Sequence, residues 1–118
     1  MNYLETENTM NPFINKQCRE YSTQELALNL SQIEEYRRHT PEWQYWAPEN
    51  HLERVYRFED YQNTINFVNL VANIANEENH HPEMMVSYNR CKVSFYTHSV
   101  KGLTENDFIC AAKIDKAN

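Results

Sequence analysis

The chain has 118 residues, 41% of them hydrophobic and 24% charged, with 11 Lys or Arg against 17 Asp or Glu for a formal net charge of −6. That fits one domain with one core and an ordinary globular composition. The acidic balance disfavours a phosphate backbone as partner, the single glycine (Gly102) excludes GxGxxG and P-loop cradles, and no apolar run reaches membrane-spanning length.

Residues 1–20 read as a flexible tail ahead of a folded domain over 21–118, with Phe13 and Ile14 as points of partial order. Met1 to Met10 has no basic n-region and no apolar h-region, so no signal peptide is read and a cytoplasmic protein is expected. Ser22-Thr23-Gln24-Glu25 has the form of a capping box, and Leu26, Leu30, Ile33 and Tyr36 then recur at helical spacing. Arg37, Arg38 and His39 suit the negative end of that helix, which Pro41 stops. Trp43 to Trp46 predicts a short strand, Ala47 to Asn50 a turn, and the alternation from Leu52 through Tyr56 to Phe58 a second strand. Arg54 breaks that alternation. Asp60 caps a long helix whose stripe runs through Ile65, Val68, Ala72 and Ala75, with Phe67, Val71 and Ile74 beside it. Pro82 forbids its continuation through His81.

Met84 to Tyr88 predicts a third strand, Asn89-Arg90 a turn, and Cys91, Val93 and Phe95 the apolar face of a fourth. Gly102 permits the turn out of it. Thr104 to Asp107 repeats the capping-box pattern and opens a last helix through Phe108, Ala111, Ala112 and Asp115. The expected architecture is α+β: a two-layer sandwich of order α-β-β-α-β-β-α, with a four-stranded antiparallel sheet and three helices on one face.

Three histidines stand out. His80 and His81 precede one hairpin, His98 follows it, and antiparallel pairing brings its two ends together. Imidazoles titrate near pH ~6.5, so such a cluster suits general acid–base chemistry. A zinc site with Glu77, Glu78 or Glu83 is a rival reading, opposed by the absence of HExxH-like spacing; histidines as loop caps and surface are another. His39 and His51 fall outside the cluster, and no serine or cysteine has a nucleophile's context. Cys18, Cys91 and Cys110 form no CxxC pair and read as reduced, buried or half-buried thiols.

His80-His81-Pro82-Glu83, Tyr88-Asn89-Arg90, Thr97-His98 and Gly102-Leu103-Thr104-Glu105 followed by Asp107 together resemble the pterin-4a-carbinolamine dehydratase family. Arg54 to Tyr61 is similar to its strand-to-helix entry, and the likeness covers roughly Ser22 to Ile114. The resemblance implies a hydro-lyase that dehydrates 4a-hydroxytetrahydropterin to quinonoid dihydropterin, recycling the cofactor of aromatic amino acid hydroxylases. It implies no metal and no cofactor, the pterin being the substrate, and a homo-oligomer, dimer or tetramer. His80, His81 and His98 become the catalytic residues. Asn79, Tyr96, Thr97 and Ser99 join them as substrate contacts, and Asp107 orients a histidine or simply caps its helix. Asn76 and Asn79 stand where family members carry acidic residues. The alternative implied function is a non-catalytic dimerisation or transcriptional cofactor, or an assembly scaffold of the same fold, which would use helix surfaces rather than histidines.

Overall fold

A computed structural model describes residues 11–118. Among the described residues, three helices and a four-stranded antiparallel sheet of order β1-β2-β4-β3 follow one another in the expected order. They are α1 (Leu30–Arg37), β1 (Gln44–Trp46), β2 (His51–Arg57), α2 (Tyr61–Glu78), β3 (Glu83–Ser87), β4 (Arg90–Phe95) and α3 (Glu105–Ala117). Short 3₁₀ turns occupy Ala47–Glu49 and His98–Val100.

Strand alternation decides which side of the sheet is covered. Leu52 and Tyr56 on β2 pair with Phe95 and Cys91 on β4, and all four side chains are buried on the helix side. Arg54 shares that side for a reason: its guanidinium lies 2.9 Å from Asp115 Oδ1 on α3. Asp115 also accepts from Trp43 Nε1 at 2.9 Å and from the Tyr56 hydroxyl, so one carboxylate ties β2 and the buried Trp43 to α3. Burial, then the Asp115 contact, push the Tyr56 phenol well above its ordinary pKa.

Helix α3 is the centre of the helical layer. Its residues from Asn106 to Ala112, and Ile114, are buried. Helix α2 presents Thr64, Phe67, Val71 and Ala75 to the core, so the expected stripe keeps Ala75 but is centred on its flanking Phe67 and Val71 rather than on Ile65, Val68 and Ala72. Asp60 caps it, its Oδ1 accepting from Asn63 N at 2.8 Å. The hairpin turn falls on Tyr88-Asn89, with Arg90 already paired to Ser87.

Two local expectations change. Ser22 to Glu25 forms a turn, not a helix start: Glu25 accepts from Ser22 N at 2.8 Å, but its carboxylate also takes Arg19 at 2.9 Å. Leu28 N donates to Leu103 O at 2.8 Å, which holds the next residues along another segment. Leu26 is therefore 91% exposed, and α1 begins only after Asn29, whose own capping box with Gln32 is complete. Gly102 is needed for packing rather than for its turn. Lys101 supplies the left-handed conformation (φ 55°), while a Cβ on Gly102 would stand 2.8 Å from that of Ala27.

The described part of the N-terminal segment is packed, not a tail. Phe13 is buried against Phe108 and Tyr36 at ring distances of 5.9 and 5.3 Å. Residues 11–21 thus form a strap across α3; the first ten lie outside the described residues.

Candidate active site

Helix α2 must stop before Pro82, and it does so by a left-handed Asn79 (φ 51°), a residue type that tolerates this conformation. His80 N then donates back to Ala75 O at 3.1 Å. This closure turns the two imidazoles apart. His80 points inward, 11% exposed, stacked on Phe95 with ring centroids 5.8 Å apart and planes at 9°. His81 points outward, its Nε2 2.9 Å from Asn76 Oδ1.

The inward histidine meets a fully buried carboxylate. His80 Nε2 lies 2.7 Å from Asp107 Oδ1, while Asp107 Oδ2 accepts from Thr97 Oγ1 at 2.8 Å and from Thr104 N at 2.9 Å. A carboxylate that already accepts from a hydroxyl and an amide is an acceptor toward imidazole as well. With its proton on Nε2, His80 donates to Asp107 and keeps Nδ1 as an acceptor. One Asp107 oxygen completes the α3 capping box, and the other lies against His80. The geometry of Thr97 is set in turn by its backbone bridge to Gly102 and by Thr104 Oγ1 at 2.9 Å.

His98 enters at the end of β4, on the first residue of a 3₁₀ turn, with its ring edge-on to Tyr96 at 4.9 Å. The strand ends at Phe95, so the exposure of His98 comes from this turn. His80, His81 and His98 line a single cleft of about 500 Å³, as do Asn79, Tyr96, Thr97 and Ser99. His39 is elsewhere, packed on Phe13. Among the described residues no group of three His, Cys, Asp or Glu is placed to hold a metal ion.

The opposite wall was not foreseen. It consists of Cys18, Arg19, Glu20 and Tyr21 from the strap, with Glu78 and Asn106 behind. Asn106 grips Arg19 at both backbone atoms, accepting from its N at 3.0 Å and donating to its O at 2.6 Å. Glu78 accepts from Cys18 N at 2.8 Å and from Lys113 Nζ at 2.6 Å. Burial alone would raise the Glu78 pKa, but Lys113 and the Cys18 amide outweigh it and hold the carboxyl below its ordinary value. The Arg19 guanidinium is occupied by Glu25 and lies 3.7 Å over the Tyr21 ring. His51 adjoins this cleft: its ring is 5.2 Å from that of Tyr96, and it shares a niche with His81 and His98. The strap wall has no signal in local sequence, since its partners are distant in the chain. His51 sits on the outer face of β2, opposite Trp46 in register, and could be found only once β2 was placed beside β4.

Comparison with known proteins follows the same lines. Residues 26–117 match the profile of the family described as pterin 4 alpha carbinolamine dehydratase. A Nitrosospira multiformis protein, provisionally named pterin-4-alpha-carbinolamine dehydratase, is 39% identical over 107 residues, 91% of this chain and 93% of its own. A Nitrosomonas eutropha protein with the same provisional name is 51% identical over 73 residues; that stretch is 62% of this chain and 63% of the relative, less than two thirds of its length. A solved structure from Brucella melitensis, described as a transcriptional coactivator/pterin dehydratase, superposes with a TM-score of 0.73 at 32% identity. The superposition covers 76% of this chain and 96% of that one.

Proposed function

Because this chain belongs to the pterin 4 alpha carbinolamine dehydratase family, we propose that it is a cytoplasmic hydro-lyase converting 4a-hydroxytetrahydropterin to quinonoid dihydropterin and water. The observation that carries this reading is the His80–Asp107 pair at 2.7 Å, opening on a cleft that His81 and His98 also line. Loss of the 4a-hydroxyl needs a proton on the departing oxygen, and formation of the C=N bond needs the N5 proton removed. His80 Nδ1 and a nitrogen of His98 exchange those two protons. His81, fixed by Asn76, orients the pterin and offsets charge developing on it. Asn79, Tyr96, Thr97 and Ser99 contact the substrate, with Asp107 behind as orienter. General acid–base catalysis contributes about 10²–10⁴-fold, or roughly 3–5 kcal/mol of barrier, enough for a carbinolamine already prone to dehydrate.

In this reading the reaction uses neither metal nor cofactor, the protein acts as a homo-oligomer, and its substrate is supplied by an aromatic amino acid hydroxylase. The test is rapid mixing of freshly generated 4a-carbinolamine with purified protein, with and without a chelator. Dehydration well above the buffer rate and unchanged by chelator is expected; a rate equal to buffer overturns the enzymatic reading.

The Brucella relative's description as a transcriptional coactivator favours one alternative, a non-catalytic transcriptional cofactor of the same fold. Such a role is independent of the histidines, so a His80→Ala, His98→Ala double variant would keep it and lose dehydration.

A further inference from the structure

Cys18 on the strap and Cys110 on α3 bring their sulfur atoms to 3.6 Å, although 92 positions separate them in the chain. Both are free thiols. Cys18 is half-buried in the wall of the cleft, and Cys110 is fully buried beneath it. The Cys18 sulfur also lies 3.6 Å from Asn106 O, and backbone bonds of the strap hold it there. Glu78 holds Cys18 N, and Asn106 holds the next residue at both backbone atoms. We propose that Cys18 and Cys110 are an oxidisable dithiol, whose disulfide latches the strap onto α3 and slows exchange of ligand in the cleft.

A disulfide needs its sulfurs at about 2.05 Å, so this pair at 3.6 Å has about 1.5 Å to close. Cys18 is the thiol that reacts first, because it alone borders solvent. Contact with Cys18 and burial hold the Cys110 thiol well above an ordinary cysteine pKa. With a small-molecule disulfide such as glutathione disulfide as oxidant, Cys18 sulfur attacks one of its sulfurs. A mixed disulfide forms, and one glutathione leaves with the Cys18 proton. Cys110 sulfur then attacks the Cys18 sulfur, and the second glutathione leaves with the Cys110 proton. Two protein thiols are oxidised, one small disulfide is reduced to two thiols, and nothing else is consumed. The new bond ties the strap bearing Arg19, Glu20 and Tyr21 to the last helix. Cys91 is a free thiol buried on β4 and serves as an internal control.

The crosslink stands without any assumption about the ligand; its control of the cleft rests on the proposed pterin site. The full chain is equilibrated over a series of reduced-to-oxidised glutathione ratios, quenched with acid, denatured, and its free thiols counted. The expected result is a fall from three thiols to one, loss of two hydrogens by mass, and a Cys18–Cys110 linked peptide on digestion. Cys18→Ser, at a half-buried site, should keep its remaining thiols under the same conditions. Three free thiols throughout, or glutathione retained on Cys18, would overturn the dithiol. For the second part, release of a bound pterin analogue is timed in the reduced and oxidised protein. Slower release after oxidation is expected, and equal release refutes the latch. An analogue that binds neither form refutes the pterin site and leaves the crosslink intact.

Discussion

Asp107→Asn separates catalysis from capping in one substitution. The wild-type carboxylate receives three donors: His80 Nε2 at 2.7 Å, Thr97 Oγ1 at 2.8 Å and Thr104 N at 2.9 Å. Asparagine has the same shape but only one oxygen. The two donors on the Oδ2 side fix where that oxygen goes, which turns the amide NH₂ toward His80. Nε2 must then accept, the imidazole proton moves to Nδ1, and the cleft meets a nitrogen in the wrong state. Charge-assisted bonds become neutral ones, at a cost of about 1–3 kcal/mol in stability. The protein stays folded. Dehydration, followed by rapid mixing, should fall about 10²–10⁴-fold, the range of general acid–base catalysis. ¹⁵N–¹H spectra of the His80 ring should show the proton transferred between nitrogens. In a double-mutant cycle, Asp107→Asn should add little to His80→Ala, because both act through one imidazole. A folded Asp107→Asn protein that dehydrates at the wild-type rate would reduce Asp107 to a helix cap.

Further substitutions address other parts of the structure. His80→Ala and His98→Ala should each slow dehydration by about 10²–10⁴-fold, whereas His39→Ala should leave it unchanged and His51→Ala, next to Tyr96, should raise KM; equal effects of all four would dissolve the cleft. Glu78→Gln removes a 2.6 Å ion pair with Lys113 from a site 9% exposed and should cost about 1–3 kcal/mol near neutral pH. Because the Glu78 pKa is depressed in the folded state, its contribution is present above the ordinary glutamate value and disappears as pH falls through the folded one. The wild-type and Glu78→Gln melting temperatures should therefore converge in acid; a constant gap would exclude this carboxylate as its source. Gly102→Ala drives a Cβ to 2.8 Å from Ala27 and should cost about 1–3 kcal/mol by overpacking, while Lys101→Gly, at the left-handed position, should cost nothing.

What could be read in advance depended on how far apart in the chain the interacting groups lie. Asp60 and Thr104 cap their helices through bonds within a few residues and Pro82 bars continuation of α2, so the limits of α2 and the start of α3 were legible. Cys91, Val93 and Phe95 report burial by period two because one sheet face is covered. Ser22 misled for a physical reason. Its capping pattern is real, as the Glu25 bond to Ser22 N shows, but a capping box cannot propagate a helix past Leu26, which has no core to face. A backbone bond from Leu28 to Leu103 outcompetes the second turn. The strap lies wholly in this illegible class. Its hold on α3 consists of Asn106 on Arg19 and Glu78 on Cys18, polar contacts without periodicity between groups 60 or more residues apart. The two sides of the cleft thus have different origins. The histidine side is encoded by local rules and falls within the matched residues 26–117, whereas Cys18 to Tyr21 precede that match. Substitutions on the histidine side should therefore change the chemical step, and substitutions on the strap should change which ligand enters and how fast it leaves.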